Sequence, residues 1–354
     1  MFRLAAKFFV RSSGNVFSHE RNRLRLRNRT VRNHGSRRLE AFLPSGYFES
    51  EPNNESDCRR RRFADVMLVS GIFSFLNKRE EPDGESELIT TIKRAVLLIQ
   101  RDEFKPAEQM LHVALKLAQE QQNADGITYI YDLLANLAFA QGQFSKAEKL
   151  FIQVMQRIIA AGSKEDDLKL LHMSLKLAKI FEEKKQFVEA EEGYKYCLKN
   201  LGEKVDQGTD EDTLLLWAMT LDWYARFLLD RERFSEALNY FNQAYQMSLK
   251  VNGEVHEQTV VLLNDLGTIS YLIGDADSAM TFLTKAVEIG KHLPNMWDLS
   301  SVYINLGNIY MQKKMFEEAK KHCKEGWQNA TRHNNQEGVN EANVCLQQLS
   351  HMIK

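Results

Sequence analysis

Six alanines, Ala107, Ala147, Ala190, Ala237, Ala279 and Ala319, recur at intervals of 40, 43, 47, 42 and 40 residues. Each is followed four positions later by a side chain suited to a packed interior: Leu111, Phe151, Tyr194, Phe241, Leu283 and Cys323. Four residues is about one helical turn, so the small and the large member of each pair share a helix face. A packing unit repeated at this spacing is the mark of a helical solenoid, in which each unit buries its apolar face against the next. The 354 residues would otherwise suggest about two ordinary domains. Five prolines and 44% hydrophobic residues, with abundant Leu, Ala, Glu, Lys and Gln, are consistent with an all-α fold.

Charge divides the chain unevenly. Residues 1–38 hold ten arginines and Lys7 against Glu20 alone, a net +10 that leaves −11 on residues 39–354. The opening MFRLAAKFFVRSSG sets Phe2, Leu4, Phe8 and Phe9 beside Arg3, Lys7 and Arg11. An acid-poor, arginine-rich amphipathic start reads as a mitochondrial presequence, and residues 1–62 form a targeting and basic region. Arg21, Arg23, Arg25, Arg27 and Arg29 could instead neutralise phosphates. No stacking platform accompanies them and the acidic remainder repels a polyanion, so nucleic acid is not an expected partner.

Residues 63–77 raise a membrane question. The apolar run FADVMLVSGIFSFL (63–76) lies between Arg59–Arg62 and Lys78–Arg79, but it is short for a bilayer crossing and Asp65 is costly there. Three readings stay open: an inner-membrane anchor, a sorting segment, or the first buried helix of the repeat array. Residues 78–87, with Pro82 and Gly84 among acids, read as a linker.

The pattern then places helix pairs at 88–120, 124–161, 168–202, 212–250, 255–292 and 297–331, so a six-repeat solenoid occupies residues 88–331. A capping helix follows in 332–354, where Val344, Leu346, Leu349 and Ile353 fall near helical spacing. Gly142 and Gly274 can relieve the turn inside a pair, while Asp102, Lys185, Glu232 and Lys314 hold the equivalent positions in other pairs. Cys58, Cys197, Cys323 and Cys345 form neither a compact disulfide framework nor a close metal pair. Cys197 and Cys323, at packing positions, read as buried thiols.

Leu263, Leu266, Gly267, Gly274, Ala279, Leu283 and Ala286, and then Leu306, Gly307, Tyr310, Ala319 and Gly326, resemble the packing positions of tetratricopeptide repeats. That family's usual period is about 34 residues; the longer period here is similar to that of kinesin light chains. The resemblance implies a right-handed superhelical solenoid whose first helices line a concave face. Carried over, it puts Tyr129, Asp132, Asn136 and Phe139, then His172, Leu175, Lys179 and Glu182, on successive surfaces. Met219, Asp222, Arg226 and Leu229, then Val261, Asn264, Thr268, Tyr271, Ser301, Ile304, Asn308 and Met311, continue them. From this mixed groove the candidate protein-binding residues are Tyr129, Asp132, Asn136, Phe139, Asp222, Arg226, Asn264, Tyr271 and Asn308. Asp132, Glu182 and Asp222 oppose a clamp for terminal carboxylates. Asp222 and Arg226, four apart, equally suit a helix-supporting pair, with Trp223 buried against a neighbouring repeat.

Catalysis has little in its favour. His256 opens HEQ without a second histidine, His322 and Cys323 are neighbours only in sequence, and no phosphate loop, dinucleotide signature or paired-carboxylate motif is present. The expectation is a non-enzymatic chain that needs no cofactor.

A closer resemblance lies in ITYIYDLLANLAFAQGQFSKAEKLF, Ile127–Phe151. Tyr131, Asp132, Leu133, Ala135, Asn136 and Phe139, followed by Gly142, Gln143, Ala147 and Glu148, are similar to a family of mitochondrial tetratricopeptide-repeat factors for respiratory complex III. That resemblance implies an inner-membrane factor that binds complex III and its Rieske iron–sulfur subunit or fragments, and promotes clearance of N-terminal Rieske fragments. It would carry neither the protease chemistry nor the cluster. The alternatives are a mitochondrial adaptor for another assembly pathway and, more remotely, a kinesin-light-chain-like cargo adaptor, which the basic leader opposes.

Overall fold

The computed structural model describes residues 86–206, 210–294, 296 and 298–353. The basic region 1–62, the segment 63–77 and the linker as far as residue 85 lie outside the described residues. Among the described residues the regular elements are thirteen α-helices, and none is long and apolar enough to cross a membrane.

The helices form pairs. They are α1 (Glu87–Gln100) with α2 (Phe104–Glu120), α3 (Ala124–Ala140) with α4 (Phe144–Ala160), and α5 (Leu168–Glu183) with α6 (Phe187–Asp206). Then come α7 (Glu211–Asp230) with α8 (Phe234–Val251), α9 (Glu257–Leu272) with α10 (Ala276–Gly290), and α11 (Leu299–Gln312) with α12 (Phe316–Arg332). The last helix, α13 (Gln336–Ile353), packs on both α11 and α12. Side-chain caps open most first helices and the last helix: Asn123 Oδ1 accepts from the Gly126 amide at 2.8 Å, Asp210 Oδ1 from Thr213 at 2.8 Å, and, before α13, Asn335 Oδ1 from Gly338 at 3.0 Å. Each bond satisfies an amide that has no partner inside its helix.

One turn geometry joins the helices of all six pairs. In the second pair the Gln143 amide donates to Ala138 O and the Gly142 amide to Phe139 O, the double bond pattern of a Schellman close. The same two bonds recur at Asp102–Glu103, Lys185–Gln186, Glu232–Arg233, Gly274–Asp275 and Lys314–Met315. The motif needs a left-handed residue, and Gly142, Gly274, Asp102, Lys185, Glu232 and Lys314 all have φ between 57° and 94°. Four of the six positions carry a side chain there, which costs roughly 1–2 kcal/mol each. Lys185→Gly and Lys314→Gly should each stabilise the protein by about 1 kcal/mol, after the extra chain entropy of glycine is counted, and Gly142→Ala should lose a similar amount. Urea midpoints measured at constant m-value check this.

Inside each pair the alanine and its partner four residues on are fully buried, from Ala107 and Leu111 through Ala319 and Cys323. Small residues on the first helix answer them. A Cβ placed on Gly267 would meet Leu283 Cγ at 2.6 Å, and one on Gly307 would meet Cys323 Sγ at 2.8 Å. The recurring alanines thus let two helices approach closely enough for the larger side chains to fill the remaining space without voids. A phenylalanine also opens five of the six second helices: Phe104, Phe144, Phe187, Phe234 and Phe316.

One expectation from sequence is corrected. Cys197 is a free buried thiol, but Cys323 is bonded to Cys345, tying α12 to α13 across 22 residues of chain. Spacing alone could not reveal the pairing, because it depends on α13 folding back along the final pair. The fold-back brings the two Cα atoms to 6.0 Å, within the reach of a disulfide.

Candidate protein-binding face

Some first helices also touch each other directly, α5 with α7 and α9 with α11, and the last helix, α13, touches α11. We call the side of the stack that carries the first helices its inner side; the candidate residues belong to those helices. They are spread over α3, α7, α9 and α11, and polar side chains there bridge from one repeat to the next.

The first bridge joins α3 to α5. Asn136 Nδ2 donates to Asp132 O at 2.9 Å and to Asp132 Oδ1 at 3.1 Å, while Lys176 Nζ donates to Asn136 Oδ1. Lys176 is only 4% exposed. Burial pulls its pKa down to about 8, against the pull of Asp132. Burial likewise raises the Asp132 carboxyl, with Lys176 opposing, and raises the half-buried Tyr129 phenol to about 12. His172, one turn before Lys176, is held well below the usual imidazole range by burial and by the lysine's charge. Phe139 closes this end: it is buried and stacks on Trp223 of α7, with ring centroids 6.5 Å apart.

The Lys176 shift carries a sign. In the unfolded chain a lysine titrates near 10.4, so between about pH 8 and that value the unfolded state holds more protons and stability rises with pH. Below about pH 8 the full cost of burying the charge is present. Denaturation of wild type and Lys176→Met across this window should show the wild type gaining on the variant as pH rises. Parallel curves would mean that Lys176 is not held in this environment.

On α5 and α6, Tyr194 Oη donates to Glu182 Oε2 at 2.6 Å, and Lys179 Nζ reaches Glu182 at 2.7 Å and Glu183 at 3.3 Å. Burial works against the Lys179 ammonium, but Glu182 and Glu183 outweigh it and raise its pKa. The α7–α9 bridge is ionic. Arg226 Nε lies 3.2 Å from Asp222 Oδ1, and its terminal nitrogens donate to both carboxylate oxygens of Asp265. The guanidinium also sits over the Phe241 ring at 5.7 Å. The α9–α11 bridge is made of amides: Asn305 Nδ2 donates to Asn264 Oδ1 at 2.9 Å and to Thr268 Oγ1 at 3.3 Å. Tyr271 is buried in the last turn of α9. Asn308 is buried on α11, its Oδ1 3.5 Å from Cys345 Sγ.

Of the candidate residues, the structure joins Asp132 with Asn136 and Asp222 with Arg226. It leaves the others on separate helices or in separate contacts. Sequence reasoning missed Lys176, Asp265 and Asn305, the partners that complete each bridge. A signal for them existed: the bonded pairs Asn136–Lys176, Arg226–Asp265 and Asn264–Asn305 are separated by 40, 39 and 41 residues, close to the repeat period. A residue one period along is the neighbour across the repeat boundary. Among the described residues no group of three or more His, Cys, Asp or Glu could hold a metal ion.

Models of the tetratricopeptide repeat match residues 128–179, 217–291 and 300–326. Solved structures share the fold. BtubC (BKLC) from P. vanneervenii superposes with a TM-score of 0.54 at 22% identity over 71% of this chain and 93% of that one. The apo form of RapI gives 0.58 at 13% identity over 87% and 80%. Among sequences, the chain is 34% identical over 285 residues to the mitochondrial tetratricopeptide repeat protein 19 homolog of Drosophila melanogaster, covering 80% of this chain and 77% of that protein. It is 35% identical over 279 residues to mitochondrial tetratricopeptide repeat protein 19 of Homo sapiens, covering 76% and 73%. With the paired helices, their common turn and this extent of identity, the chain belongs to the tetratricopeptide repeat protein 19 family.

Proposed function

We propose that this protein is a non-enzymatic, protein-binding factor of mitochondria that serves the assembly or maintenance of respiratory complex III at the inner membrane. In this reading it engages the complex through its Rieske iron–sulfur subunit and promotes clearance of that subunit's N-terminal fragments. The observation that carries the proposal is family membership over three quarters of the chain with relatives named as mitochondrial. The basic, acid-poor opening supports the address. The stacked helix pairs support the mode of action, since an array of repeats presents a surface that runs over several units and suits an extended partner.

Crosslinking from the inner face in intact mitochondria, followed by identification of the contacted peptides, tests this. Contacts concentrated on complex III and its Rieske subunit are the expected result. An imported, folded protein that repeatedly captures a different assembly factor, and none of complex III, would overturn the assignment in favour of an adaptor for another pathway. Protease access before and after selective rupture of the outer membrane reports separately on which side of the inner membrane the repeats lie.

A further inference from the structure

The helix α13 stands where a seventh pair would place its first helix, but it buries far less than the first helix beside it. Gly338, Ala342, Cys345 and Leu349 are buried out of its eighteen residues, whereas α11 buries eleven of fourteen. Val344, Met352 and Ile353 are each at least 50% exposed. Its apolar contact is one small cluster, in which Ile304 and Met311 of α11 and Cys323 of α12 meet Ala342, Cys345 and Leu349. The chain enters it through a tight turn: Asn334 is left-handed at φ 54°, and the Asn335 amide donates to Ala330 O at 2.9 Å.

The Cys323–Cys345 bond falls within this contact. Besides the turn it is the second covalent link between α12 and α13, and it closes a loop over a separation of 22 residues. A cross-link restricts the opened states of the chain, so it counts most for an element whose own buried contacts are few. With the bond broken, the turn at 333–335 alone ties α13 to the stack. Its departure uncovers Ile304 and Met311, which are 7% and 4% exposed while it is docked. Both cysteines are sealed by the same docking, Cys323 at 0% and Cys345 at 2% exposure. A reductant therefore reaches the sulfurs only after α13 has moved. The reduced pair still fits the docked arrangement, since a Cys345 thiol can donate to Asn308 Oδ1 at 3.5 Å, and the bond can close again when the helix returns.

We infer that Cys323 and Cys345 form a reversible redox site that takes a small thiol, such as glutathione, as its reductant, and that its state decides whether α13 stays docked on α11 and α12. In the first step a glutathione thiolate attacks one sulfur. The S–S bond of the protein breaks as the bond to glutathione forms, and the other cysteine leaves as a thiolate that takes a proton from water. A second glutathione thiolate then attacks the glutathione sulfur of this mixed disulfide, releasing the second cysteine and oxidised glutathione. Two electrons pass from two glutathiones to the pair, and oxidised glutathione reverses both steps. The site is independent of which partner the protein serves.

The test equilibrates the full chain in oxidised or in reduced glutathione. After denaturation, two fewer thiols of the oxidised protein should react with N-ethylmaleimide, and peptide mapping should place them at Cys323 and Cys345. Amide hydrogen exchange in α13 should be about tenfold or more faster in the reduced form, with α5 to α8 unchanged. The rate of reduction should level off as glutathione is raised, because opening of α13 becomes the slow step. Cys323→Ser and Cys345→Ala, which cannot form the bond, should each exchange α13 in oxidised glutathione as fast as the reduced wild type. Either variant serves if the other does not fold, as judged by helical circular dichroism.

A chain that forms no bond in oxidised glutathione would overturn the site, as would an α13 that exchanges at the same rate in both states or keeps its protection in a folded variant. A reduction rate that climbs in proportion to glutathione without limit would also overturn it, since the sulfurs would then be open to attack with α13 in place. Equal loosening of every helix on reduction would assign the bond to the stability of the whole stack and remove its control of α13.

Discussion

Arg226→Met is expected to cost about 3–5 kcal/mol of stability, the largest effect of any single change on the inner face. Removing the guanidinium takes away from two carboxylates, Asp222 and Asp265, each with its side chain only 13% exposed, the cation that bridges them across a repeat boundary. The cost comes from burying those charges without that bridge rather than from losing a favourable pair, and the two explanations differ in their dependence on pH. Neighbouring carboxylates that have lost their shared cation bind protons more readily in the folded state than at the unfolded value near 3.9. Folding of the variant is then coupled to proton uptake, so its deficit should shrink as pH falls from 7 toward 4. Arg226→Lys keeps one charge but loses the forked geometry that spans both acids, and should fall between wild type and Met. A deficit below 1 kcal/mol, or one that does not depend on pH, would mean that the bridge contributes little to coupling α7 with α9.

Ala279→Leu should destabilise by about 3 kcal/mol through overpacking. Ala279 is fully buried in α10, where the second helix lies against Gly267 of α9. A Cβ on that glycine would stand 2.6 Å from Leu283 Cγ and 3.3 Å from the Ala279 carbonyl oxygen. Neither backbone can retreat, because each is pinned by the Schellman turn at Gly274 and by the neighbouring repeats. Stability in a stack is close to a sum over units and their interfaces. Denaturation followed by hydrogen exchange should therefore show protection lost first in α9 and α10 and their immediate neighbours. A uniform loss along the whole array would indicate that the repeats unfold as one unit.

Much of this architecture is legible in one dimension because of what a repeat is. Every unit must bury the same face, so the requirement for a small residue at Ala107 returns at Ala147 and again down the chain. The turn inside each pair is equally local: a left-handed residue closes the first helix whether it is Gly142 or Lys185, and position alone identifies it. The inner face was harder to read. Phe139, Asn136, Tyr271 and Asn308 lie on the inner helices named from the pattern, yet all four are at most 8% exposed. A helix that touches its own partner and also the next first helix has little free perimeter, and the residues between those contacts are drawn inward.

The sequence by itself determined the periodic unit, the helix pairs and the turns that join them, since all of these follow from contacts within about one repeat of chain. Only the tertiary structure decided which polar groups satisfy one another across repeat boundaries: Lys176 with Asn136, Asp265 with Arg226, and Asn305 with Asn264. It also decided that Cys323 meets Cys345. These pairings depend on the angle at which one pair of helices settles on the next. That angle is set by the packing of many side chains together: a spacing of about one period brings such residues near one another, but only the packing decides which of them meet.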